Sequence, residues 1–135
     1  MKLTAQTPLL HVFDMKRSLS FYRDILGFEV QSSWAPEGNL YWADLRHGDV
    51  AVMLNAKYEI DEQPASDDPS SAGWHQDTVL YLNTDNVDAA YEELRSRVPK
   101  LQPPATAFYG MKQIHLTDPD GFCICIQQRA LGDSQ

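Results

Sequence analysis

Two histidines, His11 and His115, lie in apolar stretches of the chain and are its best candidates for acid and base chemistry. Imidazole titrates near neutral pH, so the two could take up and release protons if the protein is an enzyme. Either could instead be a core histidine that hydrogen-bonds to the backbone. His47 lies in a predicted turn and His75 in a predicted connecting segment, and we expect both to be exposed to solvent.

The two cysteines, Cys123 and Cys125, are separated by one residue in a predicted strand. At the rise of a strand their Cα atoms lie about 6.7 Å apart, which is the outer edge of disulfide geometry. We therefore expect two reduced thiols. No cationic group stands beside them in the sequence to lower their pKa, so we expect small buried side chains rather than nucleophiles.

Four aromatic residues, Tyr41, Trp42, Tyr81 and Tyr109, stand in or beside predicted strands. Their rings could stack on a bound ligand, or they could fill the core, since every second ring of a hairpin faces a helix. We expect Trp42 to be one of the rings that face the helix.

The elements that position these side chains occur in the same order twice. In the first half, apolar periodicity predicts a strand, a helix, a strand and a hairpin at residues 9–13, 15–26, 28–30 and 40–54. Asp14 is a suitable N-cap for this helix and Gly27 a suitable stop. In the second half a strand at 79–82, a helix ended by Pro99 and a hairpin around residues 118–121 repeat the order.

This repeat predicts an α+β fold of two βαβββ modules, whose mixed sheets curl around a shared cleft. We expect a single domain over residues 1–135, with modules at about 7–56 and 78–128 joined by a linker at 57–77. The linker is rich in Pro, Ser and acidic residues, the last being Glu59, Asp61, Glu62, Asp67, Asp68 and Asp77. Such a composition is typical of a connecting or mobile loop.

The chain carries 11 basic and 19 acidic residues among its 135, a formal charge of −8. This balance argues against a general nucleic-acid binder, because such proteins cluster Lys and Arg against phosphates. An acidic surface instead attracts cations. No apolar run approaches the roughly 20 residues of a membrane-spanning helix, and the first residues lack an apolar signal segment, so we expect a cytoplasmic protein without a membrane partner.

Several motifs resemble the vicinal oxygen chelate superfamily. They are the stretch TPLLHVFD at residues 7–14, the pair Phe21 and Tyr22, ILGF at 25–28, and DPDGF at 118–122. That superfamily contains glyoxalase I, extradiol dioxygenases, fosfomycin resistance enzymes and bleomycin resistance proteins. The resemblance spans about residues 7–128, and it implies the same two-module fold.

The resemblance also implies where metal ligands would stand, because many of these enzymes hold a metal with four cleft-facing strand residues. Those positions here read Thr7, Met53, Val79 and Cys125. Such a set does not suit Mg²⁺, Mn²⁺, Fe²⁺ or Zn²⁺, which prefer carboxylate, imidazole or several thiolates. We therefore expect no metal and no cofactor, and a closer resemblance to the bleomycin resistance protein branch.

The expected function is metal-free binding of a small cationic or aromatic compound, such as an antibiotic, in the cleft. The alternative is a glyoxalase-like or dioxygenase-like lyase or transferase, metal-dependent with shifted ligands or using His11 and His115 as acid and base. The resemblance further implies a homodimer. The residues expected to bind the ligand are His11, Tyr41, Met53, Tyr81, Tyr109, His115 and Cys125.

Overall fold

A computed structural model describes residues 1–68 and 75–130. The chain divides into two compact units, unit 1 at Met1–Pro69 and unit 2 at Ser70–Gln135. The predicted linker at 57–77 lies partly outside the described residues. None of the described helices is long and apolar enough to cross a membrane.

Unit 1 contains one four-stranded mixed sheet, with strand order β1-β4-β3-β2. Its strands are β1 (Leu9–Val12), β2 (Glu29–Trp34), β3 (Trp42–His47) and β4 (Val50–Ala56). The terminal strands of the module, β1 and β4, run parallel, with Leu9 opposite Met53 and His11 opposite Asn55. The other pairs are antiparallel, and β2 carries an irregularity between Val30 and Ser32.

One helical segment, α1, covers this sheet and begins at Met15. The Asp14 side chain caps it by accepting hydrogen bonds from the backbone N–H groups of Lys16 and Arg17. α1 (Met15–Leu19) continues into a wider π-helical turn at Ser20–Ile25. This wider turn shifts the side chains that follow it relative to a regular α-helix, and four residues of the helical segment are buried. They are Met15, Ser18, Phe21 and Tyr22.

Alternation along the strands gives sheet 1 two distinct faces. The face under α1 is buried, and together with the helix it forms the core: Leu10, Val12, Met15, Phe21, Tyr22, Phe28, Ala43, Leu45, Val52 and Leu54. We call the opposite face the helix-distal face of sheet 1.

Unit 2 repeats this arrangement with strand order β5-β8-β7-β6. Its elements are β5 (Val79–Asn83), α2 (Val87–Leu94), β6 (Ala105–Thr106), β7 (Met111–Thr117) and β8 (Cys123–Arg129). β5 and β8 are parallel, and the other pairs are antiparallel. The face under α2 is buried, with a core of Val87, Leu94, Ile114, Leu116, Phe122 and Ile124. The predicted α+β fold of two βαβββ modules is therefore confirmed.

The DPDG segment forms the turn between β7 and β8. Asp118 is buried, and its Oδ1 accepts hydrogen bonds of 2.9 Å from the backbone N–H groups of Asp120 and Phe122. Gly121 has a φ of 96°, which favours glycine. This turn sets the register in which the two strands pair.

Residues 57–68, predicted as linker, belong to unit 1 and are bonded to the rest of it. Lys57 Nζ lies 2.8 Å from Asp67 Oδ1, and Gln63 Nε2 donates to the backbone oxygen of Phe13 at 2.7 Å. The Tyr58 ring packs edge-on against Phe13, with 6.1 Å between centroids. This part of the predicted linker therefore has defined contacts with the first module.

Candidate functional site

Sheet 2 is the four-stranded sheet of unit 2, and its helix-distal face, which lies away from α2, brings three of the predicted site residues into one row. Cys125 on β8 is paired with Tyr81 on β5 and with His115 on β7. Tyr81 is 52% exposed and His115 is exposed, whereas Cys125 between them is fully buried. The row therefore has an accessible phenol and an accessible imidazole on either side of a covered thiol.

Tyr109 joins this row from the turn that precedes β7. Its ring is 51% exposed, and its hydroxyl oxygen accepts a hydrogen bond of 2.9 Å from Gln113 Nε2. The Tyr81 phenol lies close enough to Tyr109 for the two side chains to interact. Four of the seven predicted residues, Tyr81, Tyr109, His115 and Cys125, thus stand together in unit 2.

A chain of amide side chains extends the site along the same face. Gln113 Nε2 donates to Gln127 Oε1 at 2.9 Å, and Gln127 Nε2 donates to Asn83 Oδ1 at 3.1 Å. None of these three amide residues was among those predicted to bind the ligand. Alternation along the strand could have identified Gln113, because a residue two positions before His115 points to the same face of the sheet.

Two groups in the row have shifted pKa values. The pKa of Tyr81 is raised. The main cause is the negative charge that an ionised Tyr109 would carry, and burial, Cys125 and the Tyr109 hydroxyl add to it. Burial raises the pKa of the Cys125 thiol. Both side chains therefore stay neutral at physiological pH, and Cys125 is the inert buried thiol that the sequence predicts. Cys123 and Cys125 are both free of disulfides.

The helix-distal face of sheet 1 carries a row of four polar or aromatic residues. His11, Asn55, Trp42 and Trp34 lie opposite one another on β1, β4, β3 and β2. His11 is exposed, and Trp34 is 60% exposed. Trp42 was predicted to face the helix, and this is wrong. Ala43 and Leu45 are the buried residues of β3 on that face, and alternation places Trp42 on the opposite face.

Met53 and Tyr41 have different surroundings in unit 1. Met53 is half-buried on β4, between Leu9 and Asp44. Tyr41 precedes β3, and its hydroxyl accepts a hydrogen bond of 3.1 Å from the backbone N–H of Ile60. In unit 1 the strand position that corresponds to His115 is occupied by Asp44, which pairs with Met53 as His115 pairs with Cys125.

Asp44 is bound by its neighbour on the same strand and face. Arg46 Nε and Nη2 each donate to an Asp44 carboxylate oxygen at 3.0 Å, in a two-point arrangement. Hydrogen bonding and charge from Asp44 raise the pKa of Arg46. The pair is a local ion pair that was not predicted from the sequence.

The remaining histidines differ in environment. His47 is exposed, as predicted, and lies edge-on to Phe28 with 5.7 Å between centroids. His75 is half-buried and stacks on Phe122 with 3.8 Å between centroids, so the expectation that it is simply exposed to solvent is wrong. His11 and His115 stand in different units, each on its own sheet.

The four positions that correspond to family metal ligands have unsuitable donors. Thr7 precedes β1, Val79 begins β5, and neither offers an imidazole, thiolate or carboxylate. Met53 offers a thioether, and Cys125 offers a thiol whose raised pKa disfavours the thiolate that binds metals. Within residues 1–68 and 75–130 there is no cluster of three or more His, Cys, Asp or Glu side chains that could hold a metal ion. The residues present do not fit the divalent metal of the related enzymes.

Comparison with known proteins identifies a family and a set of related folds. A family model described as the Glyoxalase/Bleomycin resistance protein/Dioxygenase superfamily matches residues 5–126. Among solved structures, TioX from Micromonospora sp. ML1 is similar with a TM-score of 0.72 and 16% identity, covering 93% of this chain and 98% of that one.

Two further similar structures are of proteins that bind antibiotics. TnmS3, an antibiotic binding protein from Streptomyces sp. CB03234, has a TM-score of 0.68 and 23% identity, with 96% of this chain and 99% of that one covered. The bleomycin-binding protein of Streptomyces verticillus, complexed with copper(II)-bleomycin, has a TM-score of 0.66 and 21% identity, with 93% and 96% covered. At these identities the likeness concerns the fold.

Proposed function

Because the chain belongs to the Glyoxalase/Bleomycin resistance protein/Dioxygenase superfamily, we propose that it is a metal-independent binding protein for a small aromatic or cationic compound, such as an antibiotic. The observation that carries this proposal is the helix-distal face of sheet 2. There Tyr81, Tyr109 and His115 remain accessible around a polar network, and Cys125 beneath them is buried. Such a mixture of rings and hydrogen-bonding groups is typical of small-molecule sites.

The rings on this face supply attraction for a flat or positively charged ligand. Aromatic pairs contribute about 0.5–1.5 kcal/mol beyond the area they bury, and a cation over a ring contributes about 0.5–2 kcal/mol. The formal charge of −8 adds a long-range attraction for cations. A planar cation therefore combines both contributions.

The chemistry of the site favours binding over catalysis. The Cys125 thiol is held neutral by burial, and the four family ligand positions lack the donors of a divalent metal site. TnmS3 is an antibiotic binding protein and the protein from Streptomyces verticillus binds bleomycin, and both have this fold, which supports the same class of ligand here.

The proposed binder is a homodimer. Supporting this, the edge strand β2 is exposed along its whole length and includes two large apolar side chains, Val30 and Trp34. An exposed edge of this kind is a usual place for association between chains. Sedimentation analysis should give a mass of two chains, and a mass of one chain at micromolar concentration would remove this part of the proposal.

The test of the proposed function is titration calorimetry of protein dialysed against EDTA, with proflavine and bleomycin as probes. The wild type is expected to bind at least one of them after metal removal. Substitutions Tyr81→Ala and His115→Ala should each weaken binding about threefold to tenfold, because each removes one ring from the face.

Tyr91→Ala is the matched control, since Tyr91 is a half-buried tyrosine on α2, on the other side of sheet 2. It should leave affinity unchanged. Equal losses in Tyr81→Ala and Tyr91→Ala would contradict a site on the helix-distal face. Binding that is lost in EDTA and restored by one equivalent of Zn²⁺ or Mn²⁺ would contradict metal independence.

A further inference from the structure

The amide chain on the helix-distal face of sheet 2 has a defined direction. Gln113 donates from the same Nε2 atom to Tyr109 and to Gln127, so both of its N–H groups are used. Gln127 must then present its oxygen to Gln113 and its nitrogen to Asn83. Asn83 receives this bond on Oδ1, and its Nδ2 therefore points away from the chain of amides. The buried Gln113 sets the orientation of every group beyond it.

Both ends of this chain present unused donors. Within the described residues, the two N–H groups of Asn83 Nδ2 have no protein acceptor, and Asn83 is exposed. At the other end, the Tyr81 and Tyr109 side chains lie beside each other, and at most one of their two hydroxyl protons can be donated within the pair. The Tyr109 oxygen already accepts from Gln113, so one hydroxyl proton of the pair is left to donate outward.

Side chains with unused donors favour ligands that carry acceptors. We propose, resting on the proposed function, that this face selects planar aromatic compounds with ring carbonyl or similar oxygen acceptors, such as quinones, which accept from Asn83 and from the tyrosine pair. A hydrocarbon ring of the same shape would stack equally well but would leave these donors without their water partners, which carries a free-energy cost.

The test compares two probes of equal charge and similar shape, 2-(aminomethyl)anthraquinone and 2-(aminomethyl)anthracene, by titration calorimetry with the full chain. The wild type should bind the quinone at least about fivefold more tightly, as expected for one or two added hydrogen bonds. N83D is the informative variant, because Asp retains an oxygen for Gln127 but offers no N–H group. It should reduce the preference for the quinone about threefold or more.

Reading the result as the ratio of the two affinities removes the effect of the added charge, which acts on both probes alike. N86D is the control, because it adds the same charge three residues away and Asp still caps α2. It should leave the ratio unchanged. Equal affinity for both probes, or the same ratio in N83D as in the wild type, overturns the acceptor selection and leaves the proposed function standing. If neither probe, proflavine nor bleomycin binds, the proposed function fails as well.

Discussion

Gln113 and Tyr109 are joined by a hydrogen bond of 2.9 Å, in which the buried amide donates to the hydroxyl of a half-exposed ring. This bond holds the phenol of Tyr109, which belongs to the turn before β7, against sheet 2. Because the same amide nitrogen also donates to Gln127, one buried side chain positions both halves of the polar network. The site therefore depends on a residue that has little exposed surface of its own.

Replacing Gln113 with Met should destabilise the protein and weaken ligand binding together. The substitution keeps the length of the side chain but leaves the Tyr109 hydroxyl and Gln127 Oε1 without their donor, at a cost of about 1–3 kcal/mol in the free energy of unfolding. Urea unfolding measures the stability, and calorimetry with proflavine measures the binding.

Gln102→Met is the control for Gln113, since Gln102 is exposed and donates only to the nearby backbone oxygen of Lys100. It should change neither quantity by more than about 0.5 kcal/mol. A Gln113→Met protein as stable as the wild type would show that the bond to Tyr109 contributes little.

The Cys125 thiol should react slowly with alkylating reagents. Reaction requires the thiolate, and burial both raises the pKa of Cys125 and shields its sulfur. Iodoacetamide at pH 8 followed by mass spectrometry should label Cys125 in urea and leave it largely unlabelled in the native protein. Cys123, which is half-buried, provides an internal comparison on the same strand. Faster labelling of Cys125 than of Cys123 in the native state would contradict its placement.

The ion pair between Lys57 and Asp67 should contribute a stability that depends on pH. Burial acts to raise the pKa of Asp67, but hydrogen bonds from Lys57 and the Asp68 backbone outweigh it and lower that pKa. The hydrogen bond to Asp67 raises the pKa of Lys57. The contribution of the Asp67 carboxylate to the free energy of unfolding is therefore complete above the unfolded pKa of about 3.9. It is lost as pH falls through the lower pKa of the folded state. The contribution of Lys57 to the free energy of unfolding is complete below its unfolded pKa of about 10.4. It is lost as pH rises through the raised pKa of the folded state.

Asp67→Asn tests this expectation, because Asn keeps an acceptor for the Asp68 backbone but removes the charge. It should cost about 0.5–1 kcal/mol of unfolding free energy at pH 7 and progressively less below pH 3.9. A cost that is the same at pH 7 and pH 3 would mean that the ion pair is not its source.

Acidic residues of the segment after β4 should speed the capture of a cationic ligand. Asp61 and Glu62 are both exposed and carry part of the charge of −8. The double variant Asp61→Asn/Glu62→Gln should lower the association rate of proflavine at about 10 mM salt and have little effect at about 500 mM, where the charges are screened. Stopped-flow fluorescence gives both rates.

The control for these acids is the double variant Glu29→Gln/Glu93→Gln, which removes the same charge from a β2 position and from α2. A decrease of similar size is expected for it, because long-range attraction depends on the net charge of the protein. Equal decreases in the two double variants would indicate that only net charge matters, and no decrease in either would contradict electrostatic attraction.

The sequence predicted the two-module fold well because its signals are local and repeated. Asp14 caps a helix and the DPDG turn closes a hairpin through contacts within a few residues. Tyr81 and Cys125, both expected to bind the ligand, pair on neighbouring strands. Trp42 was misplaced because hydrophobicity alone does not say which face of a strand a large ring occupies. The amide chain was missed because its donors and acceptors come from three strands, and their pairing depends on the register between them.

The most direct test of a binding site on the helix-distal face of sheet 2 is chemical-shift mapping of the full, isotope-labelled chain after EDTA dialysis, titrated with proflavine. We expect the largest shifts in the side-chain amides of Asn83 and Gln127 and in the rings of Tyr81 and His115, with small shifts along α2 at Asp88 and Glu93. Largest shifts on α2, or saturating binding without shifts at Tyr81 and His115, would contradict it.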